Sequence, residues 1–383
     1  MRILIITPYP SGPIFGGVEA VAEVLVPSLS RHPDIEQVNV VSLHYGPEDF
    51  TERRLVKGFH YAITSKDRFE LLTGRRGDIE RVRALCDRIH PDIVHAQGLG
   101  REGVLAVQSR RLSVVTVHGL IHVERSLRNP YPNPIQKIKI RLADRLLDLV
   151  LKRANLIIST SRYDREALKI KVKGPCVSIP NPVSEDFFKI MPVGNDPIVL
   201  FTGVVQPRKN VLGIVRAFRD VAKQIPLARL NIVGPTPDPS YKDLVKREIL
   251  SLGINNHVFW SGHISHTQML SEYARCALMV MFSVEETSPM AIAQALAAGK
   301  PVVASNVGGI SEMVLEGENG HLTSKGDEYM LAQGIIELLK DNQIRSKMGR
   351  RSREIAIDRY HPNKVVQKTI AAYHSLLEGD LPV

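Results

Sequence analysis

The sequence predicts an α/β protein built from two doubly wound domains, and three observations carry that prediction. The chain has 383 residues, too many for one ordinary core and a good fit to two of roughly 150 residues each. Short apolar runs alternate with helical patterns along nearly all of it, as in parallel sheets covered on both faces. The alternation breaks once, near residues 180–196, where Pro180, Pro182, Pro192 and Gly194 cluster. This divides the chain into residues 1–185, residues 195–358, and a terminal helical segment at 359–383.

The first half opens with Arg2–Thr7, an apolar run stopped by a turn, which suits a buried strand. Pro8–Gly17 is rich in proline and glycine and reads as a loop. Val21, Val24, Leu25 and Leu29 then recur at helical spacing between Val18 and Ser30. Strand, glycine loop and helix in that order open a nucleotide-binding α/β unit. Further strands are expected at Val38–Leu43, Ile93–His95, Val114–His118, Leu156–Ser159 and Val177–Ile179, with a helix at Asp78–His90. The second half gives strands at Ile198–Thr202, Arg229–Val233, Val258–Trp260, Leu278–Phe282 and Pro301–Ala304. Helices at Leu212–Ala222, Tyr241–Leu252, His266–Cys276 and Pro289–Ala298 separate them. A last helix is expected from Asn363 to Leu377, set off by Tyr360-His361-Pro362.

Composition narrows the function. Hydrophobic residues at 44% and charged residues at 23% describe a globular chain rather than a disordered one. Cys86, Cys176 and Cys276 are far apart and form no Cys-x-x-Cys pair, so zinc-knuckle and redox motifs are absent and reduced thiols are expected. The apolar run Ile3–Ile6 is too short for a secretory signal, and no stretch has the twenty apolar residues of a spanning helix, so a cytoplasmic location is expected. The formal charge is +10, and it is uneven: residues 1–190 hold 29 Lys/Arg against 21 Asp/Glu. A basic first half favours an anionic partner. With aromatics at 5% and one tryptophan, the chain lacks the stacking residues of a single-strand binder, so nucleic acid is not the expected partner.

Four segments can carry chemistry. Gly16-Gly17 precedes a helix, where close backbone approach and unpaired N–H groups suit a phosphate, although a tight turn explains the pair equally well. Gly203, Arg208 and Lys209 lie between a strand and a helix, and two cations there can hold a diphosphate through charge-assisted hydrogen bonds. Glu286 falls in the segment Ser283–Pro289, which ends a strand and opens a helix. A carboxylate there can accept from sugar hydroxyls, and Ser288 stands at the helix entrance, where capping by Thr287 and Ser288 is the plainer reading. Gln294 lies eight residues after Glu286, two helical turns on. His118 closes an N-terminal strand at its carboxyl end, a place for a substrate contact, although a lone histidine is often structural.

Taken in order, these segments resemble the retaining glycosyltransferases of family 4, which have the GT-B fold of two Rossmann-like domains facing a cleft. The resemblance rests on Gly16–Glu19, Val117-His118-Gly119, Ile179-Pro180-Asn181 and the Gly-x5-Lys element from Gly203 to Lys209. It extends through Gln294–Ala304, Val307–Glu312 and Gly317–Gly320, so it covers nearly the whole chain. It implies an acceptor-binding first domain, a nucleotide-sugar-binding second domain, and a terminal helix crossing back to the first. By it, Gly16 and Gly17 approach the donor diphosphate, Lys209 neutralises it, Glu286 contacts the donor sugar or its phosphates, and His118 touches the transferred sugar. Two positions depart from the family. Val204 stands where arginine is common, with Arg208 able to supply the charge. Gln294 replaces the second glutamate of Glu-x7-Glu, and its amide can still bond a ribose hydroxyl.

Breaking a glycosyl–phosphate bond leaves negative charge on the diphosphate. No Asp-x-Asp occurs in the sequence, so cations and helix N-termini are expected to stabilise the leaving group, with no metal or other cofactor. The resemblance implies retention at the anomeric carbon and a UDP- or GDP-hexose donor. Polysaccharide, lipopolysaccharide or glycolipid synthesis is the expected setting, with a glycan or lipid-linked acceptor. Residues 133–155 hold Ile135, Ile138, Leu142, Leu146 and Leu149 at helical spacing beside Lys137, Lys139, Arg141 and Arg145. Such a helix can lie on an anionic membrane surface, or pack in the core with a solvated basic face. Two other activities fit the same sequence: a sugar-nucleotide epimerase, and a non-catalytic nucleotide-sugar-binding subunit.

Overall fold

The computed structural model describes residues 1–10, 16–44, 50–65, 74–128, 131–169 and 171–380. Tertiary contacts divide the chain into two compact units. One takes the chain up to Pro182 and again from Pro362; the other is Val183–His361, with which Gly16 and Gly17 also group.

The first unit begins β1 (Arg2–Ile6), α1 (Gly17–Arg31), β2 (Gln37–His44), β3 (Phe50–Leu55), β4 (Gly58–Thr64) and α2 (Arg76–Ile89). It continues β5 (Ile93–Gln97), α3 (Arg101–Val107), β6 (Leu112–Val117), α4 (Ile121–Arg128), α5 (Pro134–Arg153), β7 (Leu156–Ser159), α6 (Arg162–Leu168) and β8 (Cys176–Ser178). The strands form one sheet in the order β3-β4-β2-β1-β5-β6-β7-β8. All neighbours run parallel except β3 and β4, which pair antiparallel from Phe50↔Ile63 to Leu55↔Gly58. The antiparallel β3 is thus an edge addition, not foreseen from the sequence, to the parallel sheet that the alternation predicts. Phe-Thr-Glu-Arg-Arg-Leu has no continuous apolar run, because an antiparallel edge strand need not be buried on both faces. Elsewhere the sheet is covered on both sides. Leu4, Ile6 and Val94 pack against Val82, Leu105 and Val150; Ile3, Ile5 and Val114 pack against Leu25 and Leu29.

The second unit contains α7 (Glu185–Phe188), β9 (Ile198–Thr202), a 3-10 turn at Pro207–Lys209, α8 (Val211–Gln224), β10 (Arg229–Val233) and α9 (Pro239–Ser251). Then come β11 (Val258–Gly262), α10 (His266–Arg275), β12 (Leu278–Met281), α11 (Met290–Ala297), β13 (Val302–Ser305), a 3-10 turn at Gly308–Glu312, β14 (Gly320–Thr323), α12 (Glu328–Lys340) and α13 (Asn342–Arg359). Its sheet has the order β11-β10-β9-β12-β13-β14 and is parallel throughout. The strand Ile-Val-Leu-Phe-Thr of β9 is buried along its length: Val199 and Phe201 join one core layer, while Ile198 and Leu200 join the other. Alternating side chains thus serve both faces, which is why the strand reads as unbroken apolar sequence. The chain closes with α14 (Pro362–Glu378), whose Val365, Val366, Ile370 and Tyr373 complete the core layer of the first unit.

Candidate active site

In each sheet the strand order reverses direction at one place, between β1 and β5 and between β9 and β12. Ligands of doubly wound sheets bind beyond the carboxyl ends of the strands at that place. The second unit puts its charged residues there. Leaving β9, Gly203 adopts φ 142, a region open to glycine but strained for a side chain. Gly234 packs on it so closely that a Cβ would lie 2.0 Å from the Gly203 carbonyl oxygen. The 3-10 turn then carries Arg208 and Lys209, and Asn210 ends it in the left-handed region at φ 48. Asn210 Oδ1 accepts from the Gly213 backbone amide at 3.2 Å, capping α8.

Glu286 comes to the same point from the loop after β12. Its Oε1 accepts from Lys209 Nζ at 2.5 Å and stands 3.1 Å from Arg208 Nη1. The Arg208 side chain also donates to the Glu285 carbonyl at 2.8 Å. The backbones are tied as well: the Val284 amide donates to the Arg208 carbonyl at 2.8 Å, and the Gly309 amide to the Glu286 carbonyl at 2.9 Å. Glu286 is 4% exposed. Burial pushes its carboxyl up, but Lys209 and Arg208 outweigh that and hold it below the usual glutamate value. Two cations answer one carboxylate, so these three groups carry one positive charge in excess, in a site of low dielectric that favours an anion.

The other expected residues are placed as follows. Ser288 lies half-buried in the loop before α11. It does not cap that helix: the N-cap is Pro289, with no side-chain bond. Thr287 does not cap it either; its hydroxyl is buried without a hydrogen-bond partner among the described residues. Because α11 starts at Met290, Glu286 is not on it, and two helical turns do not link Glu286 to Gln294. Gln294 instead accepts from the Tyr273 hydroxyl at 3.5 Å, and Tyr273 also bonds the Thr202 hydroxyl at 2.9 Å, at the end of β9. Gly17 opens α1; most of the loop before Gly16, residues 11–15, lies outside the described residues.

In the first unit His118 follows β6 directly. Its Nε2 stands 2.7 Å from Gln97 Oε1, at the end of β5. Burial lowers its pKa to about 4, so the ring is neutral near pH 7. Sequence reasoning passed over Gln97 and its neighbour His95. The signal was there: Ile-Val-His-Ala-Gln sets two polar side chains two residues apart in a strand buried along its whole length.

Two family models match successive stretches of this chain, together residues 15–355: "Glycosyltransferase Family 4" at residues 15–187 and "Glycosyl transferases group 1" at residues 183–355. The chain belongs to glycosyltransferase family 4. It is 31% identical over 173 residues to the N-acetyl-alpha-D-glucosaminyl L-malate synthase of Bacillus anthracis, a match covering 45% of this chain and 44% of that one. The matches span about half the length of such curated relatives. Among solved structures, the sucrose-phosphate synthase of Thermosynechococcus elongatus superposes with a TM-score of 0.82 at 20% identity, covering 99% of this chain and 100% of that one. Anabaena HepE in complex with UDP and glucose gives 0.76 at 20% identity, covering 98% and 100%. This family-4 glycosyltransferase therefore has the GT-B fold, with two parallel-sheet α/β domains, the antiparallel β3 edge apart.

Proposed function

We propose that this chain transfers a hexose from a UDP- or GDP-linked donor to a glycan or lipid-linked acceptor, with retention at the anomeric carbon and without a metal ion. The observation that carries the reading is Glu286 held charged between Arg208 and Lys209 at the carboxyl ends of β9 and β12. A donor diphosphate entering there meets cations already fixed in place, which is how a site stabilises charge that develops in the transition state. A fold neighbour in complex with UDP and glucose supports the donor class.

In the proposed step the glycosyl–phosphate bond breaks as negative charge builds on the diphosphate, and Lys209 and Arg208 hold that charge. The acceptor hydroxyl attacks from the same face and gives its proton to the departing phosphate oxygen, so no protein base or covalent intermediate is needed. Gly16 and Gly17 contribute backbone to the diphosphate, Ser288 stands beside it, Gln294 bonds the ribose, and His118 bonds the transferred sugar. Replacing Lys209 with alanine should lower nucleotide release from a panel of UDP- and GDP-hexoses by about 10²–10³, with the fold kept. Unchanged turnover, or turnover abolished by a chelator, would overturn the reading.

An anionic membrane surface is proposed as the place of work, on the cytoplasmic face. No helix among the described residues is long and apolar enough to cross a membrane. The first half of α5, however, leaves Ile135 68% and Ile138 57% exposed, beside exposed Lys137, Lys139 and Arg141. Only its second half enters the core, through Leu147, Val150 and Leu151. Ile135→Ser with Ile138→Ser should reduce sedimentation with phosphatidylglycerol vesicles severalfold, an effect absent with neutral vesicles. Equal binding by the double variant would remove the membrane from the proposal.

A further inference from the structure

The buried polar chain behind His118 has a direction, and that direction fixes which ring nitrogen faces the substrate. With the Gln97 amide in its assigned orientation, Oε1 faces His118 and can only accept, so the 2.7 Å contact places the proton on His118 Nε2. The Gln97 amide nitrogen can only donate, and it lies 3.1 Å from His95 Nε2. That nitrogen is therefore bare, and it takes a second bond from the Thr116 hydroxyl at 2.7 Å. The proton of His95 then resides on Nδ1, which donates to the Tyr373 hydroxyl of α14 at 2.6 Å. His95 is 1% exposed, Gln97 2% and Tyr373 0%, so no water competes for these bonds. Burial keeps both rings neutral, bringing His95 to about 3 and His118 to about 4.

We propose that Gln97 and His95 are positioning residues that lock His118 as the Nε2–H tautomer and present its Nδ1 lone pair to a hydroxyl of the transferred sugar. The catalytic half of this rests on the donor reading above; the tautomer does not. His118 Nδ1 has no partner among the described residues, whereas every polar atom of the chain behind it is engaged. A tie that merely fastened α14 would need the Tyr373–His95 contact alone. The extension through Gln97 to the end of β6 gives the chain its use: the terminal helix sets a histidine tautomer at the end of a different strand.

The test uses the full-length protein labelled with 15N at histidine, with the His118 signals assigned by their loss in His118→Ala. In the free wild type the one-bond N–H coupling should appear at His118 Nε2. Gln97→Met should lose that single tautomer and lower kcat for UDP-glucose or GDP-mannose on the order of 10–100-fold, the range for groups that orient a functional histidine, with KM little changed. Gln97→Glu, whose carboxylate still accepts from Nε2–H, should recover the tautomer and most of kcat. A proton found on Nδ1 of the wild type overturns the proposal, as does Gln97→Met with normal tautomer and kcat. A silent His118→Ala in an active enzyme overturns its catalytic half. If Gln97→Met melts, Tyr373→Phe, which removes only the far hydroxyl, must still broaden the tautomer distribution. A wild type that turns over none of the nucleotide sugars sinks the donor reading instead, and the ligand-free spectrum still decides the relay.

Discussion

The two units solve one problem in opposite ways. Each buries polar side chains at the carboxyl ends of the strands where its sheet reverses order. The first unit buries neutral groups and satisfies them pairwise, Tyr373 to His95 to Gln97 to His118. The second buries a charge and compensates it with two cations, Arg208 and Lys209 on Glu286. A neutral chain of hydrogen bonds fixes direction and proton position, which suits orienting a substrate. An ion cluster fixes potential, which suits holding a departing diphosphate. On the proposed function, the units would then differ in protonation state as well as in position.

The largest expected effect comes from breaking the ion cluster while keeping its shape. Glu286→Gln leaves Lys209 and Arg208 facing each other without a counter-charge. Removing one partner of a buried pair costs about 3–5 kcal/mol, and transfer should fall by about 10²–10³. Adding Lys209→Met should return much of the denaturation midpoint and none of the activity, because the charge balance is repaired but the proposed diphosphate ligand is gone. If the double variant is no more stable than Glu286→Gln alone, the cluster is not governed by charge and the contrast with the first unit fails.

Acid should act on the two units in different windows. His60, His95 and His118 all belong to the first unit, and burial lowers them to about 4, 3 and 4 from an ordinary value of 6.5. Between those limits the unfolded chain binds more protons than the folded one, so stability is lost progressively as pH falls from 6.5 toward 3. For Glu286 the shift is downward from 4.5, so its contribution is intact above 4.5 and is lost only as pH falls through the lower folded value. Hydrogen exchange followed from pH 7 to 4 should therefore show protection in β5 and β6 falling by a few kcal/mol before that in β9 and β12 changes. Trp260, the one tryptophan, sits in β11 and should report only the later event. Simultaneous loss in both units would break the comparison.

The amount of this that could be read from the sequence follows from how local each signal is. Apart from β4 and β14, the parallel strands of both units are legible because burial on both faces leaves continuous apolar runs such as Ile-Val-Leu-Phe in β9. The antiparallel β3 was not, because Phe-Thr-Glu-Arg-Arg-Leu takes its pairing from β4 and not from its own composition. β14, α12 and α13 were likewise not read as elements. In α5 the stripe through Ile135, Ile138, Leu142, Leu146 and Leu149 reads as one apolar face, but the buried residues are Leu147, Val150 and Leu151, and of the stripe Leu146 packs against that core. The helix does declare its start, through an Asn133–Gln136 capping box that a stripe-based reading overlooks. At the site, Lys209 and Glu286 could be named from spacing, but their direct contact could not, since it joins residues 77 apart. His95 and Tyr373 are 278 apart, and no local pattern marks such a pair.

The smallest effect expected tests whether the second unit also relies on charge away from the cluster. Gln294 stands where the family commonly has glutamate, and its side-chain oxygen takes the Tyr273 hydroxyl at 3.5 Å. A carboxylate there keeps that acceptor and exchanges an amide donor for a stronger acceptor of ribose hydroxyls. Gln294→Glu should tighten UDP by less than about tenfold, near 1 kcal/mol, because Tyr273 is already held by Thr202 and by the Ala291 carbonyl at 3.0 Å and need not move. Calorimetric titration with UDP and with uridine measures it. The gain should be the same for both ligands, since the ribose is common to them and the proposed function gives the diphosphate to Arg208 and Lys209. A gain seen only with UDP would place Gln294 in the phosphate field and make the second unit one extended ion site. No gain with either would mean that the amide already serves the ribose as well as a carboxylate can.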